Sequence, residues 1–415
     1  MKHLAFVLIL SLAAFAQKPS FDDLTKAIAA GPANPALESL LRSAFTADQL
    51  QKGEAWMSQR GEFLFAIESE KEPLISIDDG PVSDESKRAG KIWYFRANLK
   101  TGTIHKFTYY LEGQPFGGRN DLPAYTDEHY EAPGVPRGTL SEKIVHESKI
   151  YPGMKSDYWT YAPAQYSAAT AAAVMIWQDG EIYVERNGNT RLQNVIDHLT
   201  HRRKIPVMIH VFISPGLTGT RRMRSVEYDS VNDTYPRFLL EEILPEVSKK
   251  FNLRTDGYSR AIAGDSSGGI CAFNAAWQRP QEFSRVLSRI GSFTSIQWQP
   301  GVLDGGNVYP FKIRKEPKRN IRVWLQDGSD DLENPHGSWP LQNVQMANSL
   351  KFREYDFQFR WGFGTHSRTH GNVEVAEELQ WLWRDYDPAK TAQDFVMDPA
   401  EKSKPFFRIR SLNRE

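Results

Sequence analysis

The sequence predicts a two-part chain: a mostly parallel α/β domain with helices on both faces of its sheet, preceded by a small antiparallel β-sandwich. Three observations predict it. Residues 61–125 hold short segments rich in Phe, Ile, Tyr and Trp, several alternating apolar with polar and divided by turns. From residue 141 short apolar runs alternate with helical periodicity, the pattern of a parallel sheet. At 260–277 an apolar strand runs through Gly264-Asp265-Ser266-Ser267-Gly268 straight into a helical stretch.

The chain begins MKHLAFVLILSLAAFA, with Lys2 and His3 ahead of a mostly apolar run over 4–13 and an Ala14-Phe15-Ala16 cleavage pattern. Residues 1–16 read as a secretory signal, so export to the periplasm or the medium is expected. No later run approaches the length of a membrane span, and stable membrane insertion is not expected. The single cysteine, Cys271, allows no intrachain disulfide and reads as a buried, inert thiol. With 415 residues, 40% of them hydrophobic, core burial can supply the stability instead. Basic and acidic residues balance at 51 each with no long basic run, which gives nucleic acid no footprint.

Residues 17–58 read as a helical prelude broken at Gly31-Pro32. The sandwich follows over 59–125, with turns at Asp78-Asp79-Gly80 and Lys100-Thr101-Gly102. Residues 126–140, rich in Pro, Gly and charge, read as a linker. The α/β domain spans 141–386. Its expected strands include 173–178, 207–213, 260–264, 322–326 and 355–361, and its expected helices 191–202, 235–251, 267–278, 340–351 and 373–385. The remainder, 387–415, reads as a charged tail.

The chemistry centres on Ser266. A serine on a sharp strand-to-helix turn needs small neighbours two positions away, and Gly264 and Gly268 provide them. The helix N-terminus then faces a developing oxyanion, with the Ser267 N–H as one donor. This motif points to the α/β-hydrolase type, in which acid and base follow the serine in chain order, each after a strand. Strand 321–326 exits into Asp327-Gly328-Ser329-Asp330-Asp331, where three aspartates compete. Asp331 is favoured because the strand end and Gly turn must come first; Asp330 ranks second and Asp327 third. Strand 355–361 exits through Gly362-Phe363-Gly364-Thr365 to His366, the candidate base, with His370 as the alternative. His366 and His370 have no accompanying carboxylate motif, and His198 and His201 read as lying on an ordinary surface helix, so no metal or other cofactor is expected.

With these residues in place, 141–386 resembles the esterase family that includes enterochelin esterases, esterase D-like enzymes and feruloyl esterases. The matching segments are Trp177-Gln178-Asp179-Gly180, Arg224-Ser225-Val226-Glu227-Tyr228, the Gly264–Gly269 turn, Gln326-Asp327-Gly328 with Asp331, and the loop around His366. The resemblance implies a Ser266–His366–Asp331 triad and an acyl-enzyme. It implies an oxyanion hole formed by Ser267 with the Asp179-Gly180 loop, and substrate contacts from Arg224, Glu227, Trp177 and Gln178. It also implies that the β-rich module is the immunoglobulin-like domain found ahead of the catalytic domain in enterochelin esterases. The chain departs from the family at Asp265, a carboxylate beside the nucleophile, and at Thr365, where Gly commonly precedes the His. A carboxylate at 265 is placed to raise the His366 pKa or to salt-bridge a lid residue. The expected function is hydrolysis of a carboxylic ester, whether of a siderophore, a feruloyl or acetyl group on polysaccharide, or another aryl ester. Acyl transfer on the same scaffold and non-catalytic carbohydrate or siderophore binding are the alternatives.

Overall fold

The computed structural model describes residues 18–31 and 34–408, so the expected signal segment lies outside the described residues. The chain divides into two compact units, one comprising the chain through Leu99 with Lys106–Arg119, the other Lys100–His105 with the chain from Asn120 on.

In the first unit a four-stranded antiparallel sheet runs in the order Ala55–Gln59, Glu62–Glu68, Ile92–Asn98, Lys87–Ala89. A second sheet in this unit pairs Leu74–Ile77 antiparallel with residues 107–110. Phe65 and Phe95 of the first sheet meet Phe107 and Tyr109 of the second, at ring centroids of 4.7 and 5.8 Å. Strand alternation turns Leu64, Ala66 and Tyr94 the other way. There they pack with Leu24, Ile28, Leu37, Leu41 and Leu50. The expected prelude is therefore a cover: helices Phe21–Ala29, Leu37–Ala44 and Ala47–Gln51 bury the sheet's outer apolar face. Its first strand starts inside the segment read as helical, at Ala55.

In the second unit six parallel strands run in the order Met208–Ile213, Ala173–Gln178, Arg260–Asp265, Arg285–Arg289, Arg322–Asp330, Asp356–Thr365. Met154–Ala162 joins antiparallel at the first edge. Two cores cover the two faces. Val174, Ile176, Ile262, Val286 and Val323 point to one, filled by helix Ser267–Gln278 and helix Trp339–Phe352. Ala173, Met175, Trp177, Ala261, Ala263 and Leu287 point to the other, filled by Leu192–His201 and Thr369–Leu382. The two-residue period of a strand gives each parallel strand two apolar faces, as its near-continuous apolar sequence requires.

Two segments differ from expectation. Residues 126–140 are not a free linker: His129 is fully buried, its ring bonds the Asn372 carbonyl at 2.8 Å, and its own carbonyl accepts from Asn194 at 3.0 Å. Part of the tail is also docked, with Phe395 and Met397 buried and Arg254 bonding the Pro388 carbonyl. Strand Arg285–Arg289 and helices Arg224–Tyr228, Tyr309–Lys315 and Pro399–Ser403 are among the described elements with no counterpart in the expected ones.

Candidate active site

Strand Arg260–Asp265 ends where helix Ser267–Gln278 begins, and Ser266 alone makes the turn, at φ 60° and ψ −122°. That conformation costs a non-glycine residue about 1–3 kcal/mol and persists only when its surroundings over-determine it. Here they do. The Ser266 N–H donates to the Arg289 carbonyl at 2.9 Å, and the Ser266 carbonyl accepts from Gly269 at 2.9 Å and Ser292 at 3.0 Å. A Cβ on Gly264 would sit 2.4 Å from the Gly268 backbone, and one on Gly268 would sit 3.0 Å from Gln178 Cβ. The two glycines let strand and helix close around the serine.

The next two sheet strands deliver the partners. Strand Arg322–Asp330 ends in a register shift, and Asp331 turns back with its N–H 3.3 Å from the Gly328 carbonyl. Asp356–Thr365 releases His366. His366 Nε2 lies 2.8 Å from Ser266 Oγ and its Nδ1 lies 2.5 Å from Asp331 Oδ1. Burial pushes the Asp331 carboxyl up, but its hydrogen bonds with His366 and Asp327 outweigh burial and hold it below the usual carboxylate range. Asp330, the runner-up, points to solvent and bonds only its neighbour Ser329. His370 bonds Gln326 and Glu374 on the buried side of the sheet, away from Ser266.

Asp179 has left-handed backbone, donates its N–H to the Tyr228 hydroxyl at 3.3 Å, and takes Arg224 through two bonds of 2.7 Å. Gly180 follows; a Cβ there would meet the Phe212–Ile213 backbone at 2.3 Å. Burial works against the charge on Arg224, but its bonds to Asp179 more than compensate and keep the guanidinium firmly protonated. Ser267 is the first residue of the helix and is buried.

Three residues expected at the substrate do not line the cavity that opens on Ser266. Trp177 is fully buried and points to the Leu192–His201 face, where it packs on Tyr183 at 5.2 Å and donates to His210 at 3.1 Å. Gln178, equally buried, hydrogen-bonds the Tyr235 hydroxyl. Glu227 is buried and accepts the Gly216 N–H at 2.8 Å; burial pushes its carboxyl up to about 8 despite that bond. Each supports the loops beside the site from behind.

A cavity of about 630 Å³ opens on Ser266 and His366. Arg224, Arg368, Glu181, Glu185, Asn189 and Asn372 line it, together with Ile182 and Ile290. Arg368, two residues past the candidate base, was not foreseen. It lies 3.5 Å from Asp265 and 3.4 Å from Asp179, so both carboxylates beside the serine are tied to cations. Asp265 also faces the buried Arg289 at 3.8 Å, and Arg289 is clamped by Glu378. The other side of the Ser266–His366–Asp331 array holds two more residues that sequence reading missed. Ser292 Oγ lies 3.3 Å from Ser266 Oγ, and Trp339 donates to Ser292 at 3.1 Å while its ring stands edge-on to His366. Ser292 lies in the long connection after strand Arg285–Arg289 and Trp339 is the first residue of helix Trp339–Phe352, and neither belongs to a motif. Among the described residues no cluster of three or more His, Cys, Asp or Glu is placed to hold a metal ion.

A family model described as "Putative esterase" matches residues 152–381, more than half of the chain. The iron(III) enterobactin esterase of Dickeya dadantii is 26% identical over 366 residues, covering 81% of this chain and 77% of that protein. An endo-1,4-beta-xylanase/feruloyl esterase of Xylanibacter ruminicola is 29% identical over 161 residues. That match covers 39% of this chain and only 19% of the xylanase/feruloyl esterase, and the chain spans about half of the Escherichia coli K12 enterobactin esterase. Among solved structures, the enterobactin esterase of Shigella flexneri superposes with a TM-score of 0.53 at 18% identity, over 81% of this chain and 97% of that one. A ferulic acid esterase superposes with a TM-score of 0.50 at 19% identity, over 60% of this chain and all of that one. These likenesses identify the second unit as an α/β-hydrolase fold, and by its match to the family model this chain belongs to the esterase family.

Proposed function

We propose that this protein hydrolyses a carboxylic ester through an acyl-enzyme on Ser266. The observation that carries the reading is the unbroken line Asp331–His366–Ser266, at 2.5 and 2.8 Å, ending on a serine in a strained strand-to-helix turn beside an open cavity. In the proposed reaction His366 Nε2 takes the Ser266 proton as Oγ attacks the ester carbonyl carbon. The N–H groups of Ser267 and Gly180 receive the oxyanion, with Asp179 and Arg224 fixing the loop that carries Gly180. His366 then gives its proton to the departing alkoxide, and water repeats the sequence to release the acid. Asp331 holds the tautomer and stabilises the imidazolium.

For the substrate, the polar side chains of Arg224, Arg368, Glu181, Glu185, Asn189 and Asn372 and the lack of a Phe, Tyr or Trp among the described lining residues favour an oxygen-rich ester, of siderophore type, over a feruloyl ester. We further read the first unit as an immunoglobulin-like accessory domain and residues 1–16 as an export signal. No helix among the described residues is long and apolar enough to cross a membrane.

The test is a rate comparison over p-nitrophenyl acetate, methyl ferulate and a trilactone siderophore, for wild type and Ser266→Ala. The expected result is hydrolysis that Ser266→Ala lowers by at least about 10⁴-fold, with the trilactone preferred. Full activity in Ser266→Ala would end the proposal; preference for methyl ferulate would overturn the substrate assignment alone.

A further inference from the structure

We propose that Asp327 is a positioning residue for the Ser266–His366–Asp331 array, keeping its own proton and donating it in a hydrogen bond to Asp331 Oδ2. This rests on the triad reading given above.

Asp327 is fully buried near the end of strand Arg322–Asp330, and the turn at Gly328 brings Asp331 back over it, so that the two carboxyls meet within hydrogen-bond reach. Three contacts occupy one oxygen on each group. Asp327 Oδ1 accepts the Gly328 N–H at 2.7 Å, and Asp331 Oδ1 accepts from Leu332 N at 2.5 Å as well as His366 Nδ1. Both Oδ2 atoms are buried, and neither has an N–H or hydroxyl donor in hydrogen-bond geometry. Two ionised carboxylates in contact and out of water repel strongly, whereas a single proton between them makes a short charge-assisted O–H···O⁻ bond and satisfies both orphaned oxygens.

Which acid keeps the proton follows from what faces each. Asp331 faces His366, a donor that favours its ionised form. Asp327 faces Asp331, the Gly328 amide and, from helix Trp339–Phe352, the uncharged Asn343 amide, and among the described residues no Lys, Arg or His forms an ion pair with it. Burial, and then the contact with Asp331, push Asp327 well above the usual carboxylate range, while Asp331 lies below it. The Asp327 proton would pin Asp331 so that Oδ1 stays on His366. It would also temper the basicity of Asp331, and so the strength with which Asp331 holds the imidazolium.

The experiment measures kcat/KM against pH for p-nitrophenyl acetate with wild type, Asp327→Asn and Asp327→Ala, alongside Ser266→Ala. The Asn amide can still donate to Asp331, so Asp327→Asn is expected within about threefold of wild type, with its acid limb in place. Asp327→Ala removes the donor and is expected to fall about tenfold or more, with the acid limb moved to higher pH because Asp331 then holds the imidazolium more tightly. The proposal is overturned if folded Asp327→Asn is as impaired as Asp327→Ala, or if Asp327→Ala matches wild type in rate and profile. An infrared difference spectrum of Asp327→Asn against wild type at neutral pH decides the proton directly, even if the Ala variant does not fold. Loss of a neutral carboxylic-acid carbonyl band is expected, and loss of an ionised carboxylate band contradicts it. If Ser266→Ala stays active, the triad reading fails at that arm, separately from the infrared result.

Discussion

Asp331 and Asp265 flank the same serine, and both carboxylates are almost wholly out of water, yet they face different partners. Asp331 faces an imidazole that can change charge during a reaction. Asp265 faces Arg289 and Arg368, whose charges do not change, and the Tyr183 hydroxyl at 3.4 Å. An acid beside a titrating base can fix its tautomer and stabilise the charge it gains, whereas one beside fixed cations is architectural and sets the local field. A buried acid with no cation follows a third course: Glu227, given only the Gly216 amide, is driven towards its neutral form.

The comparison breaks most visibly at Asp331. Asp331→Asn keeps the shape but favours the wrong His366 tautomer, and kcat is expected to fall by about 10³–10⁴-fold with little change in KM, while Asp330→Asn stays within about threefold. Equal losses in the two variants would move the acid to Asp330. At Asp265 the expected loss lies first in stability. Asp265→Ala leaves Arg289 with Glu378 alone and Arg368 with Asp179 alone, and chemical denaturation should show a loss of about 3 kcal/mol. The accompanying fall in kcat/KM should be roughly tenfold, far short of the Asp331 effect. A loss in kcat at Asp265 as large as at Asp331 would erase the distinction between them.

Glu227 sharpens the comparison through pH. Its folded pKa, about 8, is raised above the unfolded value by burial. Relative to a residue that does not titrate, its contribution is therefore fully present below the unfolded pKa and is lost as pH rises through about 8. Glu227→Gln removes that dependence. Wild type should lose up to roughly 4 kcal/mol more than Glu227→Gln between acid pH and pH 9, measured as denaturation midpoint against pH. Parallel curves for the two proteins would show that Glu227 is not neutral when folded. The smallest catalytic effect is expected at Trp177. Trp177→Ala should destabilise by about 3–5 kcal/mol while leaving KM of the folded enzyme unchanged, because the ring packs under the sheet and touches no cavity.

That outcome reflects how the sequence can be read. Segments whose apolar residues repeat in one period, such as 173–178, 260–265 and 267–278, are legible because burial alone explains them. Strand Arg285–Arg289 is not. Its sequence, RVLSR, has two apolar residues, and its arginines are buried only because Glu378, the Leu382 carbonyl and the rings of Tyr258 and Trp383 receive them from distant parts of the chain. The same limit applies at the site. Ser266, Asp331 and His366 each follow a strand in chain order and could be named as candidates. Trp177, Gln178 and Glu227 sit in recognisable motifs, but strand alternation and helix facing turn their side chains inward, and a motif does not carry that direction. Arg368 and Ser292 lie on loops with no periodicity, so only the folded chain brings them beside Asp265 and Ser266.

The central claim, that Ser266 is the nucleophile, is met most directly by covalent labelling. The protein is incubated with a fluorophosphonate, digested, and the modified residue located by tandem mass spectrometry. One phosphonyl group per chain on Ser266, absent from Ser266→Ala and strongly slowed in His366→Ala, is the predicted result. Modification of Ser267 or Ser292 instead, or no modification while ester hydrolysis proceeds, would contradict it.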